Sequence, residues 1–194
     1  MPDLDLLQLA LSRPAAESSD YDLNPGFRLP PDRTLRQAAV LVAVVPGQGV
    51  LLTKRASHLQ HHPGQIAFPG GKLDLSDASL EACALRESRE EVGLPVDGVQ
   101  ILGRLPSHET VTGFVITPVL ACLDQPFKAI PEPGEVDEVF TVPLAHLLNP
   151  RNYAIERRCW QGQVRHYYAV PWGPYYIWGA TARILRGLAD RVAQ

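Results

Sequence analysis

Apolar residues along the chain follow two spacings, and three long stretches carry the spacing of a helix. Residues 2–13 place leucines at positions 4, 7 and 11 with Pro14 after them, which predicts a helix that ends before the proline. Residues 78–92 predict a second helix, with Asp77 or Ser79 as its cap and Gly93 at its end. Residues 177–192 carry their apolar side chains on one helical face, which predicts a third.

Shorter apolar runs between these stretches predict strands. Two almost wholly apolar runs within residues 37–54 flank a Gly-Gln-Gly turn and indicate a hairpin in the centre of a sheet. A long loop, residues 56–71, follows it. Further strands are predicted at 99–105, 114–122 and 136–142, with two more within 153–170 and a short helix at 143–148.

Strands and helices do not alternate regularly, so the predicted class is α+β, a sheet with a few helices. Residues 14–34 are rich in Pro, Ser and Asp, which is typical of a linker. These features divide the chain into an N-terminal helix with its linker, residues 1–34, and one domain, residues 35–194.

Composition narrows the classes of function. The net charge of −3 and the absence of a basic stripe argue against a nucleic-acid partner. No apolar run approaches the roughly 20 residues of a membrane span, and the first residues do not resemble a secretory signal, so a cytoplasmic protein without a membrane partner is expected. Cys83, Cys122 and Cys159 match no zinc or redox spacing and are expected to be thiols in a reducing compartment.

Three glutamates share one face of the helix predicted at 78–92. Each helical residue turns by about 100°, so Glu87, Glu90 and Glu91 fall within an arc of roughly 100°. Like charges at this spacing repel, and the helix dipole disfavours anions near the C-terminal end. Hard divalent cations such as Mg²⁺ bind carboxylate oxygens, so the face predicts a metal site. For an isolated motif of this kind, a solvated acidic surface is the alternative.

Neighbouring residues make the pattern more specific than an acidic face. Arg86 directly precedes Glu87 and can reach Glu90 one turn later, where it would orient a carboxylate. Gly70 and Gly71 follow a proline and predict a turn that exposes backbone carbonyls near the start of the helix.

Residues 68–94 resemble the Nudix box, G-x(5)-E-x(7)-R-E-U-x-E-E-x-G-U, in which U is aliphatic. The second half matches residue by residue, as Arg86, Glu87, Ser88, Arg89, Glu90, Glu91, Val92, Gly93 and Leu94. Three departures accompany the match. Ser88 stands at an aliphatic position, Gly71 lies one residue too far from Arg86, and Asp77 or Ala78 replaces the first glutamate of the box.

A second resemblance concerns residues 51–71, LLTKRASHLQHHPGQIAFPGG. This stretch is similar to the signature of the coenzyme A pyrophosphatase branch, LLTxRSxxxRxxxGxxxFPGG, with Ala56 and Gln60 as departures. The resemblance implies a Nudix fold, a mixed β-sheet sandwiched between helices. It also implies a hydrolase dependent on Mg²⁺ or Mn²⁺ that splits coenzyme A or acyl-CoA into 3′,5′-ADP and 4′-phosphopantetheine.

The resemblance implies roles for individual residues. The metal ligands would be Glu87, Glu90, Glu91 and the carbonyl of Gly71, with Arg86 as an orienting partner. Substrate contacts are expected from Lys54, Arg55, Phe68 and Gly70, with the histidines of residues 58–62 as further phosphate contacts. The general base would be a box glutamate or a loop carboxylate, for which the candidates are Glu135, Glu138 and Glu109. Core packing is the simpler role for Trp172, Tyr175, Tyr176 and Trp178, although they could stack on a base.

Three alternatives stay open at this point. The substrate could be another dinucleotide, such as ADP-ribose or NADH, which the departures at Ala56 and Gln60 allow. The chain could be a non-catalytic module that binds nucleotides, although such proteins usually lose a box glutamate. The acidic helix could also be accidental, which the second signature argues against.

Overall fold

The computed structural model describes residues 2–27, 33–160 and 162–194. Within them the α-helices are α1 (Pro2–Ser12), α2 (Leu80–Val92), α3 (Leu144–Leu147) and α4 (Ala180–Ala193). The strands are β1 (Ser18–Ser19), β2 (Arg36–Val45), β3 (Gly49–Arg55), β4 (Ile66–Ala67), β5 (Gly70–Lys72), β6 (Val99–Arg104), β7 (His108–Glu109), β8 (Phe114–Leu123), β9 (Val136–Val142), β10 (Ala154–Trp160) and β11 (Gln163–Ala169).

In the described parts of the chain, nine strands form one mixed sheet, and β10 and β11 form a separate hairpin. Strand β2 lies at the centre, as its apolar sequence predicts, and runs parallel to β8. Its hairpin with β3 is paired only at Val44–Val50 and Val45–Gly49, beyond which the two strands separate. Strands β4 and β5 fill the opening, because β4 pairs with β3 and β5 pairs with β2. The loop predicted at 56–71 therefore enters the middle of the sheet.

The two faces of the sheet bury two different cores. In β2, Val42 and Val44 belong to a core shared with α1 and α4, whereas Leu41 and Ala43 belong to a core shared with α2. This alternation follows from the two-residue period of a strand. The predicted architecture, a mixed sheet sandwiched between helices, is confirmed.

Two helix boundaries differ from the sequence prediction. Helix α4 begins at Ala180 rather than at residue 177. Ile177 is fully buried, but it lies before the helix, and its carbonyl accepts a hydrogen bond from Val170 N at 2.8 Å. Helix α2 begins at Leu80, after the cap residue Ser79, whose hydroxyl accepts from Ala82 N at 3.1 Å.

Part of the segment predicted as a linker, residues 14–34, pairs with the sheet, while residues 28–32 lie outside the described chain. Strand β1 pairs in parallel with β7 at the edge of the sheet. Beside it, the fully buried His108 is bonded through Nδ1 to Ser18 Oγ at 2.9 Å and through Nε2 to Asp20 Oδ1 at 3.1 Å. Burial alone would raise the pKa of Asp20, but the hydrogen bond and charge of His108 outweigh it and lower that pKa.

Helix α1 also packs against the main body, with Leu7 and Ala10 fully buried. Arg191 Nη2 donates to the carbonyls of Leu11 and Arg13 at 2.8 and 2.9 Å, at the end of α1. In return, Arg13 donates to the carbonyls of Arg191 and Val192 at the end of α4. Each arginine thus satisfies carbonyls that the other helix leaves unpaired at its C-terminus.

No helix in the described residues is long and apolar enough to cross a membrane.

Candidate active site

Helix α2 is oriented by its small buried residues. Cys83, Ala84, Ser88 and Val92 face the sheet, and Ser88 Oγ donates to Ala84 O at 2.6 Å. Ser88 is thereby accommodated at a position where the family pattern has an aliphatic residue. The helix ends at Gly93, whose φ of 67° lies in the left-handed region that favours glycine. This orientation turns Glu87 and Glu91 toward β5 and toward the loop before β9.

Arg86 is the central cation of the site. Its Nε and Nη2 donate to Asp77 Oδ1 and Oδ2 at 2.8 and 2.9 Å, and its Nη1 donates to Glu87 Oε1 at 2.9 Å and Glu90 Oε2 at 3.0 Å. Asp77 therefore does not cap α2 but anchors Arg86, and this hydrogen bond holds the pKa of Asp77 well below its usual range. The sequence did not reveal this role. Asp77 is one of the two residues, with Ala78, that take the place of the first glutamate of the box.

Glu87 lies directly against Gly71. A Cβ added to Gly71 would be 2.5 Å from the carboxyl carbon of Glu87, so only glycine leaves room for that carboxylate. Burial raises the pKa of Glu87, Arg86 lowers it, and the charges of Glu90 and Glu135 raise it again. The structure therefore brings together Glu87 and Gly71, two of the predicted metal ligands.

Glu91 is the most buried acid of the group, with 4% of its surface exposed. Its Oε2 accepts a hydrogen bond from Gly70 N at 3.2 Å. Burial raises the pKa of Glu91, and the charges of Glu135 and Glu87 raise it as well, whereas the Gly70 hydrogen bond and the charge of Arg55 lower it. The net result is a pKa of about 7. Two half-buried or buried carboxylates with raised pKa values lie side by side, a state that a cation would relieve.

Glu90 is the most exposed of the three glutamates. Its side chain is 59% exposed and paired with Arg86. In the described residues, no three acidic, histidine or cysteine side chains converge on one point. The donor set of Glu87, Glu91 and a nearby backbone carbonyl still fits a hard divalent cation, because it consists of oxygens with unbalanced negative charge. Glu90 would have to leave Arg86 to join them.

The three loop carboxylates proposed as bases lie in different places. Glu135 is close enough for its charge to raise the pKa of both Glu87 and Glu91. Glu138 accepts a hydrogen bond from Tyr175. Glu109 is on β7 and paired with Arg33. Two strands, β8 and β2, lie between β7 and β5, so Glu109 is three strand spacings from β5, about 14 Å.

The predicted substrate contacts are also divided. Arg55 lies near Glu91, lowers its pKa, and has a buried Nε without a hydrogen-bond partner among the described residues. Lys54 lies opposite Glu138 of β9 and Ile66 of β4 in the strand register, on the face of the sheet that packs against α4. Phe68 is 4% exposed and belongs to the core on that same face, so it serves packing. Gly70 contributes its N–H to Glu91.

The aromatic residues near the C-terminus contact other side chains of the chain. Tyr175 stacks on Phe140 with ring centres 3.6 Å apart, and Trp172 and Trp178 pack against His146 and Tyr167. Tyr176 is 47% exposed.

Of the histidines at 58–62, His62 adopts a positive φ of 55° in a tight turn. Burial lowers the pKa of His62, and the charge of Arg55 lowers it to a smaller extent. His62 is therefore close to Arg55.

An open groove borders the acidic cluster on the outer side of α2. It has a volume of about 540 Å³ and is lined by Leu85, Arg86, Arg89, Glu90 and Val96. Both residues of the Arg86–Glu90 ion pair therefore line the groove.

Comparison with known proteins gives a consistent result. The NUDIX domain family matches residues 35–160. The chain is 45% identical over 167 residues to the uncharacterized Nudix hydrolase NudL of Enterobacter sp. (strain 638), covering 81% of this chain and 83% of that protein. The NudL protein of Salmonella paratyphi B is 46% identical over 169 residues, with the same shares of both chains.

A solved structure, the MutT/nudix family protein from Enterococcus faecalis, has a similar fold. Its TM-score is 0.50 with 18% identity, covering 87% of this chain and 66% of that one. Residues 35–160, which the NUDIX domain family matches, include β5, α2 and the loop that carries Glu135. By sequence match over most of its length and by fold, the chain belongs to the Nudix family.

Proposed function

We propose that the chain is a metal-dependent pyrophosphohydrolase that cleaves the diphosphate of coenzyme A or acyl-CoA. The observation that carries the proposal is the contact of Glu87 with Gly71 beside the buried Glu91, with Arg86 fixed by Asp77. The signature in residues 51–71 supports coenzyme A as the substrate. In the reaction, water adds across one P–O–P bond, so its oxygen joins one phosphorus and the bridging oxygen leaves with the other. The products are 3′,5′-ADP and 4′-phosphopantetheine.

Glu87, Glu90, Glu91 and the carbonyl of Gly71 would hold the Mg²⁺ or Mn²⁺. When bound, such a cation neutralises charge on the diphosphate and lowers the pKa of a water molecule. Arg86 positions Glu87 and, before the cation enters, keeps Glu90 in reach. This arrangement serves positioning and electrostatic stabilisation, which dominate catalysis of phosphoryl chemistry.

Glu135 is the carboxylate best placed to accept the proton of the attacking water. It acts electrostatically on Glu87 and Glu91, whereas Glu138 is engaged by Tyr175 and Glu109 by Arg33. Arg55, with a free donor beside Glu91, is suited to hold a phosphate oxygen of the substrate.

Hydrolysis of coenzyme A with Mg²⁺ or Mn²⁺, compared between the wild type and Glu90→Gln, tests the proposal. Turnover that requires the metal and falls by orders of magnitude in the variant supports both substrate and site. Turnover of ADP-ribose or NADH without turnover of coenzyme A would retain the metal site and refute the coenzyme A branch, an outcome to which Ala56 and Gln60 point. Tight nucleotide binding without any turnover would indicate a non-catalytic module.

A further inference from the structure

A small pocket lies on the far side of the sheet from α2. Helix α4 carries Arg183, Gly187 and Arg191 four residues apart, so they share one face of the helix. The pocket has a volume of about 40 Å³ and is enclosed by this face, by Ser18 of the N-terminal segment and by Leu105 after β6. None of the residues assigned to hydrolysis lines it.

Arg191 is the unusual member of this face. It is 5% exposed, and two of its side-chain nitrogens, Nε and Nη1, are buried without a hydrogen-bond partner in the described chain. No described carboxylate forms an ion pair with it, and burial lowers its pKa. Its Nη2 donates to the carbonyls of Leu11 and Arg13. The positive charge and the two unpaired N–H groups of the buried guanidinium still favour an anion beside them.

The rest of the pocket suits a small anion. Arg183 supplies a second guanidinium, which is already oriented by Asp22 at 3.1 Å. Gly187 leaves the space between the two arginines open, because a Cβ there would be 3.6 Å from Arg183 Nη1, at ordinary contact distance. The apolar walls and the small volume leave no room for a nucleotide.

We propose that this pocket binds a small inorganic oxyanion, of the size of phosphate or sulfate, between Arg191 and Arg183. The anion fastens the N-terminal segment to α4, because the pocket walls come from both. The site is separate from the proposed hydrolytic function and does not depend on it.

Thermal unfolding with inorganic phosphate as the probe tests this site. Phosphate is titrated in EDTA at constant ionic strength against chloride, for the wild type, Gly187→Ala, Arg191→Met and Arg186→Met. The wild-type midpoint is expected to rise to a plateau with phosphate. Gly187→Ala fills the pocket without a clash, so its midpoint without phosphate is expected to equal or exceed that of the wild type, because alanine favours a helix interior. Its apparent phosphate affinity is expected to fall at least about tenfold.

The other variants separate this site from general effects. Arg186 is on the same helix but paired with Asp190 at 2.8 Å and does not line the pocket, so Arg186→Met is expected to keep the phosphate response. Arg191→Met is expected to lose it; if that variant does not fold, Gly187→Ala carries the test alone. An equal response in Gly187→Ala and wild type, or a wild-type response no larger than that to chloride, overturns the proposal.

Discussion

Asp77 and Arg86 form a two-point ion pair, with both carboxylate oxygens of Asp77 within 2.9 Å of guanidinium nitrogens. Asp77 lies before α2 and Arg86 lies within it, so the pair fixes the guanidinium relative to the helix. The remaining terminal nitrogen then bridges Glu87 and Glu90. Asp77 thus acts on the acidic cluster through Arg86 without touching it.

Replacing Asp77 with asparagine should weaken the site without emptying it. An amide cannot offer two acceptors to the guanidinium, so Arg86 loses its anchor while Glu87, Glu90 and Glu91 stay in place. We expect about a 10- to 100-fold loss in activity or in metal affinity, measured by steady-state hydrolysis over a metal titration. Asp97→Asn, an exposed acid just after α2, is the matched control. Equal rates in both variants would refute the role of Asp77.

Gly71→Ala should displace the carboxylate of Glu87, because the added Cβ would lie 2.5 Å from its carboxyl carbon. The expected result is a loss of activity of about 100-fold or more, since a ligand side chain must move. Gly98→Ala adds the same methyl group where no atom lies within 4 Å, and it should remain active. If Gly71→Ala retains full activity, the contact with Glu87 has no catalytic importance.

Glu91→Gln should stabilise the protein at pH 8 while abolishing activity. The pKa of Glu91 is raised from 4.5 to about 7, so its contribution to stability is complete below about pH 4.5 and is lost as the pH rises through 7. Above pH 7 the ionised, buried form destabilises the wild type by about 2–3 kcal/mol relative to a neutral side chain.

Urea unfolding in EDTA at pH 5 and pH 8 measures this effect. The difference between Glu91→Gln and wild type should be largest at pH 8 and shrink toward pH 5. Excess Mg²⁺ at pH 8 should reduce it by stabilising the wild type alone. A difference that does not vary with pH would contradict the linkage.

Glu135→Gln and Glu138→Gln should separate the two nearest candidates for the base. If Glu135 accepts the proton of water, its replacement lowers kcat by about 10²- to 10⁴-fold with little change in KM. Glu138 is bonded to Tyr175, and its replacement should leave kcat within about threefold of wild type, since it lies outside the cluster. The reverse order of effects would move the role of base to Glu138.

Asp20→Asn should loosen the N-terminal segment from the edge of the sheet. The buried His108 would lose a charged partner, at a cost of about 1–3 kcal/mol in the free energy of unfolding. Because the pKa of Asp20 is lowered, its contribution is present above its usual value of 3.8 and is lost as the pH falls through the folded value. The difference between variant and wild type should therefore be larger at pH 7 than at pH 3.

Asp22→Asn is the control for this prediction, since the Asp22–Arg183 pair is partly exposed and should contribute at most about 1 kcal/mol. Limited proteolysis between residues 13 and 27 should be faster in Asp20→Asn than in the control. Identical stability and proteolysis in the two variants would show that the His108 contacts do not hold the segment.

The sequence predicts local structure well, because local structure depends on residues close together in the chain. The almost wholly apolar sequence of β2 predicts its central position, and the apolar run at 136–142 predicts the bounds of β9. The four-residue spacing of a helix predicts the contact from Arg86 to Glu90. The partnership of Asp77 with Arg86 spans nine residues and a change of direction, so helical spacing does not reveal it. Asp77 also competes with Ser79 for the cap, and the two are equivalent in sequence.

Contacts between distant residues are beyond such patterns. His108 meets Ser18 and Asp20 only because β1 pairs with β7 at the sheet edge, although polar composition predicts a linker there. Phe68 lies in a motif that resembles a substrate signature, yet its size and apolar character place it in the core. Glu135 lies close to Glu87 and Glu91 because the loop before β9 folds back over the end of α2, where Glu132 N donates to Glu91 O at 2.9 Å. No local pattern specifies this contact.

The exchange of carbonyl caps between α1 and α4 joins residues 178 positions apart. During synthesis, α1 emerges from the ribosome long before α4, so this exchange cannot form until almost the whole chain has been made. The ends of the two helices are therefore joined only after every strand of the sheet has been synthesised. A nascent chain that ends before α4 lacks Arg191, so the carbonyls of Leu11 and Arg13 have to be satisfied by water until the last helix is made.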